Sequence, residues 1–390
     1  MKHATLLIIA VLLICGIVVG CSEKDTSTVT VEPIKIGAVF SVTGGAAKLG
    51  GPEKNAALMI VDQINASGGV NGRPIELIVE DDAGVEENTI NALQKLINLD
   101  NVVAIIGPTR SGNGIAAAPI CEEAGVPLVS CAAAWVQLFP EKNPANPMFK
   151  YVFKTPQNDS HCARTILADC KAKGYTKVAI ITGTTGFGAA GRMELLNYAP
   201  EFGIEIIADE TYPGDASDLT PQLTNIKART PQALINWSIV DAQKLIAAQM
   251  KQIALNVQLY QSHGFGNKGY ITPEGEGLLF PVGRLLVLSD LDASNPQYKV
   301  LSSFKADYEA KYNEEVSTFA GHAYDALWLV VGAIKAKDAT RTGIRDGLEM
   351  TKNYVGTAGI FNMAPDDHCG LTDAAFAMVT VKDGDFRLAK

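Results

Sequence analysis

Short apolar runs alternate along the chain with longer segments whose apolar residues recur every three or four positions. Residues 34–40 and 73–80 are predicted to be strands, because each is a short apolar or alternating run bounded by turn-forming residues. The segments 51–65 and 88–99 have the spacing of amphipathic helices, with Pro52 expected in the first turn of the former. This order of strands and helices predicts a parallel, doubly wound α/β sheet.

The same alternation returns after residue 160 and predicts a second sheet of the same class. Strands are predicted at 177–182, 204–208, 233–237 and 257–261, and helices at 160–173, 189–198, 219–229 and 241–252. The stretch GTTGFG is the predicted loop before the helix at 189–198. A chain of 390 residues is longer than one typical core, which favours two domains.

The first twenty residues are predicted to be a targeting segment. Lys2 supplies a positive start, residues 6–19 are an uninterrupted apolar run, and Val18-Val19-Gly20-Cys21 resembles a bacterial lipobox. Cleavage before Cys21 would leave that cysteine as the lipid-bearing first residue. The alternative is an ordinary secretory signal in which Cys21 is incidental, and in both cases the mature chain is exported. Residues 21–33 are polar and are expected to tether the lipid to the domains.

Two loops that follow short apolar strands carry the candidate chemistry. After the strand at 104–106 come Thr109, Arg110 and Ser111, at the start of a helix of small residues. A second loop, 130–135, follows the next apolar run. Open α/β sheets bind ligands at the carboxyl ends of their parallel strands, and the amides of a helix N-terminus favour anions. The alternative is that Arg110 and Ser111 only cap the helix and are exposed at the surface, without binding a ligand.

Composition and motifs argue against nucleic acid, metal and catalysis. The formal net charge is −9, so no basic excess is available to neutralise phosphates. The chain has no HExxH, GxSxG or CxxC motif, and Asn113 lies where a phosphate loop needs a lysine. The run Asp366-Asp367-His368-Cys369 contains metal-capable side chains, but adjacent ligands make a poor cage, and we interpret it as a structural turn. No cofactor and no metal are expected.

Five cysteines remain when Cys15 and Cys21 are set aside, and an odd number cannot all pair within the chain. Cys162 and Cys170 are expected on one helix at a separation of about 12 Å, which a disulfide cannot bridge. We therefore predict mostly buried free thiols. His161, His322 and His368 are scattered along the chain and are interpreted as surface or packing residues.

Several segments, in a specific order, resemble the first lobe of the leucine/isoleucine/valine-type periplasmic binding proteins: IKIGAVFSVTGGAAKLG, DQINASGGVNGRPIELIVEDDAG, VVAIIGPTRSG and GVPLVS. The resemblance continues through YVFKTPQND and GHAYDAL to the C-terminus. It implies two α/β lobes, a ligand cleft between them, and three crossovers near Phe153-Lys154, Val282-Gly283 and Gly370. Lobe 1 would comprise residues 34–153 and 284–370, and lobe 2 residues 154–283 and 371–390.

The resemblance also implies site residues. The family residue that matches Ser111 binds the ligand carboxylate, and Thr109 and Arg110 flank it in this sequence. Ala132 and Ala134 match positions that contribute backbone groups. The family usually has a threonine at the second of these positions, so a hydroxyl donor is missing here and amino-acid recognition is in doubt.

His263 is the most informative departure from the family pattern. It matches an acidic residue that pairs with the α-ammonium of amino-acid ligands, and a histidine cannot replace that fixed negative charge. The site is therefore expected to suit an anion, unless the alignment slips by one residue or His263 turns inward. Phe187 replaces a tyrosine that closes over the ligand, and Trp135 either stacks on a planar ligand or covers lobe 1. Ser238 and Ile239 are further candidate cleft residues.

We predict an exported, lipid-anchored and monomeric solute-binding protein. It would deliver a small carboxylate, favoured as an aromatic or apolar organic acid, to the membrane permease of an ABC importer after the lobes close about their hinge. The first alternative keeps the fold and binds a branched-chain or other amino acid, with a carboxylate such as Asp241 meeting the ammonium. The second alternative is a ligand-sensing receptor module for a signalling partner. An enzyme is only the third alternative, because no catalytic constellation can be assembled.

Overall fold

The computed structural model describes residues 31–389. The targeting segment, Cys21 and residues 21–30 of the predicted tether lie outside this range. Within it, no helix is long and apolar enough to cross a membrane. The described chain builds two large sheets and one short two-stranded ribbon.

The first part of the chain builds a five-stranded sheet in which every strand pair is parallel. The strand order is β2-β1-β3-β4-β5. Buried residues lie on both of its faces, as expected for a parallel sheet between helices. In chain order the elements are β1 (Ile34–Phe40), α1 (Ala47–Ala66), β2 (Ile75–Asp81), α2 (Glu86–Asn98), β3 (Ala104–Ile106), α3 (Ser111–Ala124), β4 (Leu128–Ser130) and β5 (Val152–Lys154).

The chain then passes to a second sheet with the same alternation. Its two apolar clusters again lie on opposite faces of the sheet. The elements are α4 (Asp159–Ala172), β6 (Lys177–Gly183), α5 (Gly186–Tyr198), β7 (Glu205–Tyr212), α6 (Thr220–Ala228), β8 (Ala233–Trp237), α7 (Leu245–Gln252), β9 (Gln258–Gln261) and β10 (Leu279–Val282).

The chain next returns to the first sheet and finally rejoins the second. The returning helices complete the first core, where α9 packs along α1. The elements are α8 (Tyr298–Tyr312), α9 (Thr318–Ala336), α10 (Arg341–Glu349), the ribbon of β11 (Tyr354–Val355) and β12 (Ile360–Phe361), and then β13 (Ala377–Lys382) and β14 (Asp385–Leu388). We call the part built on the first sheet lobe 1 and the part built on the second sheet lobe 2.

The predicted two-lobe α/β class is confirmed, with one feature that the pattern did not predict. The second sheet has the order β14-β13-β10-β9-β8-β6-β7. In this sheet β13 runs antiparallel to β10, and β14 runs antiparallel to β13. A tight turn at Asp383-Gly384 joins β13 to β14, so this pair needs no crossover helix. The chain passes between the sheets after β5, after β10 and before β13; the residue boundaries of the lobes remain a prediction.

Helix α1 begins earlier than predicted. It starts at Ala47, so Pro52 lies inside the helix and not in its first turn. Ala46 and Leu49 pack against Phe319 of α9. This tertiary contact stabilises the helical turn that precedes the proline, and the local proline signal did not reveal it.

Helix α5 also begins earlier, within the predicted GTTGFG loop. The hydroxyl of Thr185 accepts a 3.2 Å hydrogen bond from the amide of Gly188, which caps the helix. Phe187 therefore lies in the first turn of a helix, where its backbone is fixed, and not at the tip of a loop.

The acidic run near the C-terminus is a turn, as interpreted from the sequence. Oδ1 of Asp367 accepts hydrogen bonds from the amides of Cys369 and Gly370. His368 is buried and stacks on Phe153 with ring centroids 4.0 Å apart. The five described cysteines are all buried and unpaired, as predicted.

Candidate functional site

A small cavity of about 30 Å³ lies between the lobes, at the carboxyl ends of the parallel strands. No acidic, lysine or arginine side chain belongs to its wall among residues 31–389. The wall is formed by Thr109, Ser111, Cys131, Ala133, Pro156, Phe187, Ile239, His263, Gly264, Thr318, Phe319 and His322. Of the predicted site residues, Thr109, Ser111, Phe187, Ile239 and His263 meet here.

Three long helices begin at this cavity. Helix α3 begins with Ser111, α5 begins one residue before Phe187, and α9 begins with Thr318. The hydroxyls of Thr185 and Ser317 cap α5 and α9, whereas no side chain caps α3. The N-terminus of a helix carries a partial positive charge, so the three helices favour an anion in a cavity that has no cationic side chain in its wall.

Ser111 and Thr109 form the lobe 1 wall. Ser111 is 2% exposed, and its Oγ accepts a 3.2 Å hydrogen bond from the amide of Ala134, which leaves its hydroxyl proton for another acceptor. Oγ1 of Thr109 accepts a hydrogen bond from the amide of Ser41 and donates one to Glu53. Burial raises the pKa of the Glu53 carboxyl well above its ordinary value, so this group favours its neutral form.

Arg110 does not reach the cavity, which corrects the predicted carboxylate contact. Its Nη1 donates a 2.8 Å hydrogen bond to the carbonyl of Gly84. The side chain lines an adjoining polar pocket with Glu86 and Thr184, and this pocket shares Ser111, Phe187 and Ile239 with the cavity. The guanidinium bonds locally to the loop before α2, and this local bond gives no signal in the sequence.

The backbone groups predicted for Ala132 and Ala134 are already engaged, which corrects those two assignments. The amide of Ala132 donates to Ser130 Oγ, and that of Ala134 donates to Ser111 Oγ. The side-chain amide of Gln137 donates to both alanine carbonyls, at 2.9 and 2.8 Å. The residue between them, Ala133, is the one that lines the cavity.

Trp135 lies outside the cavity and joins the two lobes, so the predicted stacking on a ligand is wrong. Its indole N–H donates a 2.7 Å hydrogen bond to Glu194 of α5, and its amide donates a 2.9 Å bond to Asp159 of α4. Its ring packs edge-on against Phe139. We call the two hydrogen bonds to Glu194 and Asp159 the Trp135 latch.

Phe187 and Ile239 form the apolar part of the lobe 2 wall. Phe187 is 2% exposed and packs against Trp237 and His263. Ser238 is buried behind this wall, where its Oγ accepts a hydrogen bond from the amide of Val240. The predicted contact of Ser238 with a ligand is therefore corrected.

Each lobe contributes one histidine to the wall of the cavity. His263 follows β9 in lobe 2 and is 8% exposed, and His322 of α9 in lobe 1 is 7% exposed. Burial, together with the charge of Lys154, lowers the pKa of each imidazole to about 3. Both rings are therefore uncharged at neutral pH. His322 is neither a surface nor a plain packing residue, contrary to the interpretation from the sequence.

Asp241 cannot meet a ligand ammonium in this cavity. It lies on the rim, where its carboxylate is 58% exposed and pairs with Lys48 of α1 at 2.8 Å. Lys244 approaches the same carboxylate at 3.7 Å. The structure thus excludes Asp241, the carboxylate suggested for the amino-acid alternative, from the cavity wall.

Comparison with known proteins identifies the family. The family model described as periplasmic binding protein matches residues 33–385. The chain belongs to this family. A leucine/isoleucine/valine-binding protein, BraC3 of Rhizobium johnstonii, is 27% identical over 329 residues, which cover 81% of this chain and 84% of that protein. The periplasmic binding proteins of this family are extracytoplasmic solute-binding proteins.

Two solved structures of similar proteins share the whole two-lobe architecture. An extracellular ligand-binding receptor from Rhodopseudomonas palustris HaA2 superposes with a TM-score of 0.84 at 27% identity, covering 92% of this chain and 99% of that one. The branched-chain amino acid transporter substrate-binding protein LivJ from Streptococcus pneumoniae, in complex with isoleucine, gives 0.77 at 25% identity and covers 92% and 100%.

Proposed function

We propose that this periplasmic binding protein captures a small carboxylate in the cavity between its lobes and delivers it to an ABC importer. The observation that carries the proposal is the meeting of three helix N-termini at a cavity without acidic side chains in its wall. The carboxylate would lie against the uncapped first turn of α3 and accept a hydrogen bond from Ser111. No turnover of the ligand is expected.

An aromatic or otherwise apolar acid suits the rest of the wall best. Phe187, Ile239 and Phe319 present apolar side chains, and Ala133 and Pro156 add apolar surface between them. Trp135 contributes nothing here, so the aromatic preference depends on the two phenylalanines. The ligand would stabilise the closed state only by as much as it binds the closed state more tightly than the open state.

An amino acid is the second candidate, and the relatives support it. BraC3 is named for leucine, isoleucine and valine, and the LivJ structure holds isoleucine. With Asp241 excluded, Glu53 is the carboxylate that would meet the ammonium, since it hydrogen-bonds to Thr109 of the wall and its Oε1 has no partner. It would first have to lose the proton that burial favours.

A thermal-shift panel separates the two candidates. Benzoate, isovalerate and leucine would each be added at millimolar concentration; a ligand present at 100 times its Kd stabilises a protein by about 2.7 kcal/mol. We expect benzoate to raise the melting midpoint of the wild type and of Glu53→Gln equally. If only leucine raises it, and Glu53→Gln abolishes that effect, the protein binds amino acids and the carboxylate proposal is wrong.

We also propose that Cys21 carries a lipid that anchors the protein on the outer side of the membrane. The proposal depends on the lipobox-like residues Val18-Val19-Gly20-Cys21. Mass spectrometry of the protein purified from membranes should find Cys21 as a lipid-modified N-terminus. Replacing Cys21 by serine should release the protein from the membrane, and an unmodified N-terminus at another residue would contradict the anchor.

A further inference from the structure

We propose that His263 and His322 act as a pair that takes up a proton when a carboxylate enters the cavity. The bound anion would then be neutralised by an imidazolium that the free protein does not contain. This inference depends on the proposed function, because it assigns to the two histidines the task that a fixed cation performs in other anion sites. One histidine comes from each lobe, so the pair is complete only when the lobes are closed.

The hydrogen-bonding state of the two rings is the first argument. Nδ1 and Nε2 of His263 and Nδ1 of His322 are buried and have no hydrogen-bond partner. Leaving a buried polar group unpaired costs about 1–3 kcal/mol, so such groups are rare unless something else satisfies them. Both residues line the cavity, and a ligand there can supply the missing acceptors.

The packing around His263 is the second argument. Its ring contacts Phe187 of α5, Trp237 of β8 and Phe376, with centroids 5.1, 5.6 and 5.6 Å away. These three residues present aromatic rings to the imidazole and offer no acceptor for a ring N–H. The Cys162 thiol of α4 lies near the backbone of His263, and burial raises the pKa of that thiol, so it stays neutral.

The remaining charged and titratable groups near the cavity keep the two imidazoles uncharged in the ligand-free protein. Lys154, buried at the end of β5, disfavours the charged form of both imidazoles; its Nζ donates to Pro156 O at 2.7 Å and to Asn158 Oδ1 at 2.8 Å. Two buried acids of lobe 1 have other partners, since Glu53 bonds to Thr109, and Asp325 accepts from Thr357 and the amide that follows it.

A carboxylate in the cavity changes this balance. Burying an anion without a counter-charge is costly, and an adjacent negative charge raises the pKa of an imidazole. A proton from solvent would bind to one ring nitrogen as the lobes close, and it would return to solvent when the ligand leaves. The only bond formed is the second N–H of one imidazole, with a proton from solvent, and the net reaction is protein plus anion plus proton giving a complex in which the anion and the imidazolium neutralise each other.

Calorimetric titration with benzoate tests the pair. Titrations at pH 7.5 in phosphate and in Tris, whose ionisation enthalpies differ, should give binding enthalpies that differ by the uptake of close to one proton per benzoate. The Kd should rise about tenfold for each unit of pH above 7. His263→Gln/His322→Gln should abolish both effects and weaken binding at least tenfold, whereas His161→Gln, outside the cavity, should change neither.

Each outcome separates this inference from the proposed function. If benzoate binds with the same enthalpy in both buffers and with a Kd that does not depend on pH, the histidine proposal is wrong and the carboxylate site stands. If benzoate does not bind while leucine does, both are wrong. The wild-type titrations decide between these outcomes by themselves, so the test does not depend on the folding of the double variant.

Discussion

The indole N–H of Trp135 in lobe 1 donates a 2.7 Å hydrogen bond to Oε1 of Glu194 in lobe 2. The second bond of the Trp135 latch, from its amide to Asp159, spans the same boundary. Burial raises the pKa of Glu194 to about 7 and that of Asp159 to about 6. The latch lies outside the ligand cavity, so it stabilises closure without contacting the ligand.

Removing the Glu194 carboxylate should weaken ligand binding. Glu194→Ala leaves the indole N–H without its partner in the closed state, at a cost of about 1–2 kcal/mol, and should raise the Kd about 5- to 30-fold. Fluorescence titration with the ligand found by the thermal-shift panel measures the Kd. Glu194→Gln keeps an acceptor oxygen and should bind within about twofold of the wild type. Equal loss in both variants would contradict the role of the hydrogen bond.

Ser111 should be required for binding and its neighbour Ser130 should not. Each hydroxyl accepts one amide hydrogen bond in the same loop region, at 3.2 Å from Ala134 and 3.1 Å from Ala132, but only Ser111 lines the cavity. Ser111→Ala and Ser130→Ala should therefore lower the free energy of unfolding by a similar amount, about 1 kcal/mol. Only Ser111→Ala should weaken carboxylate binding, by at least tenfold in calorimetry. Similar Kd values for the two variants would exclude Ser111 from the site.

Gly186 should be needed for closure, because a side chain there has no room. A Cβ at this position would lie 2.7 Å from the amide nitrogen of Gly112 in lobe 1. Gly186→Ala should force the lobes apart and weaken ligand binding by about 1–3 kcal/mol. Gly332 in α9 has no neighbour within 4 Å of such a Cβ, so Gly332→Ala should bind normally and be more stable. Small-angle scattering with ligand would show whether Gly186→Ala closes; full closure would contradict the prediction.

The stability of the ligand-free protein should respond to the cavity histidines as pH falls. The pKa of His322 is lowered to about 3 from an ordinary value of 6.5, so its contribution is fully present above pH 6.5 and is lost as pH falls towards 3. The stability advantage of the wild type over His322→Gln should thus shrink by up to about 3 kcal/mol between pH 6.5 and 4.

Urea unfolding at several pH values measures this difference. Asp325, whose pKa is raised to about 7, acts with the opposite sign, since its contribution is lost as pH rises from about 4 to 7. It is present in both proteins and cancels in the comparison. A constant difference between wild type and His322→Gln across this range would show that His322 titrates normally.

The sequence predicts the fold well because its information is local and repeated. Apolar strands followed by amphipathic helices appear at β1, α1 and β2 and again from β6 to β9. The errors lie where distant contacts decide a boundary, as at Ala47, where Phe319 stabilises the start of a helix. The antiparallel strands β13 and β14 were missed because pairing direction depends on the turn between them.

The site could be predicted only in part, for a different physical reason. Ser111 and Phe187 begin helices that leave the sheet edges, so their place follows from topology. Whether a side chain points into the cavity depends on its local partners, and Gly84 and Glu194 direct Arg110 and Trp135 elsewhere. His322 was missed although Ser317 and Thr318 mark a helix start, because nothing nearby in sequence shows that this helix reaches the cleft.

The packing of α9 along α1 has a consequence for the folding of the newly synthesised chain. The apolar stripe of α1, including Ala57, Ile60 and Ile64, is covered by a helix that follows it by more than two hundred residues. A nascent chain that ends before Thr318 therefore exposes this stripe and cannot complete its first core. Folding of lobe 1 can therefore finish only late in synthesis, when α9, which lies in the last fifth of the chain, has become available.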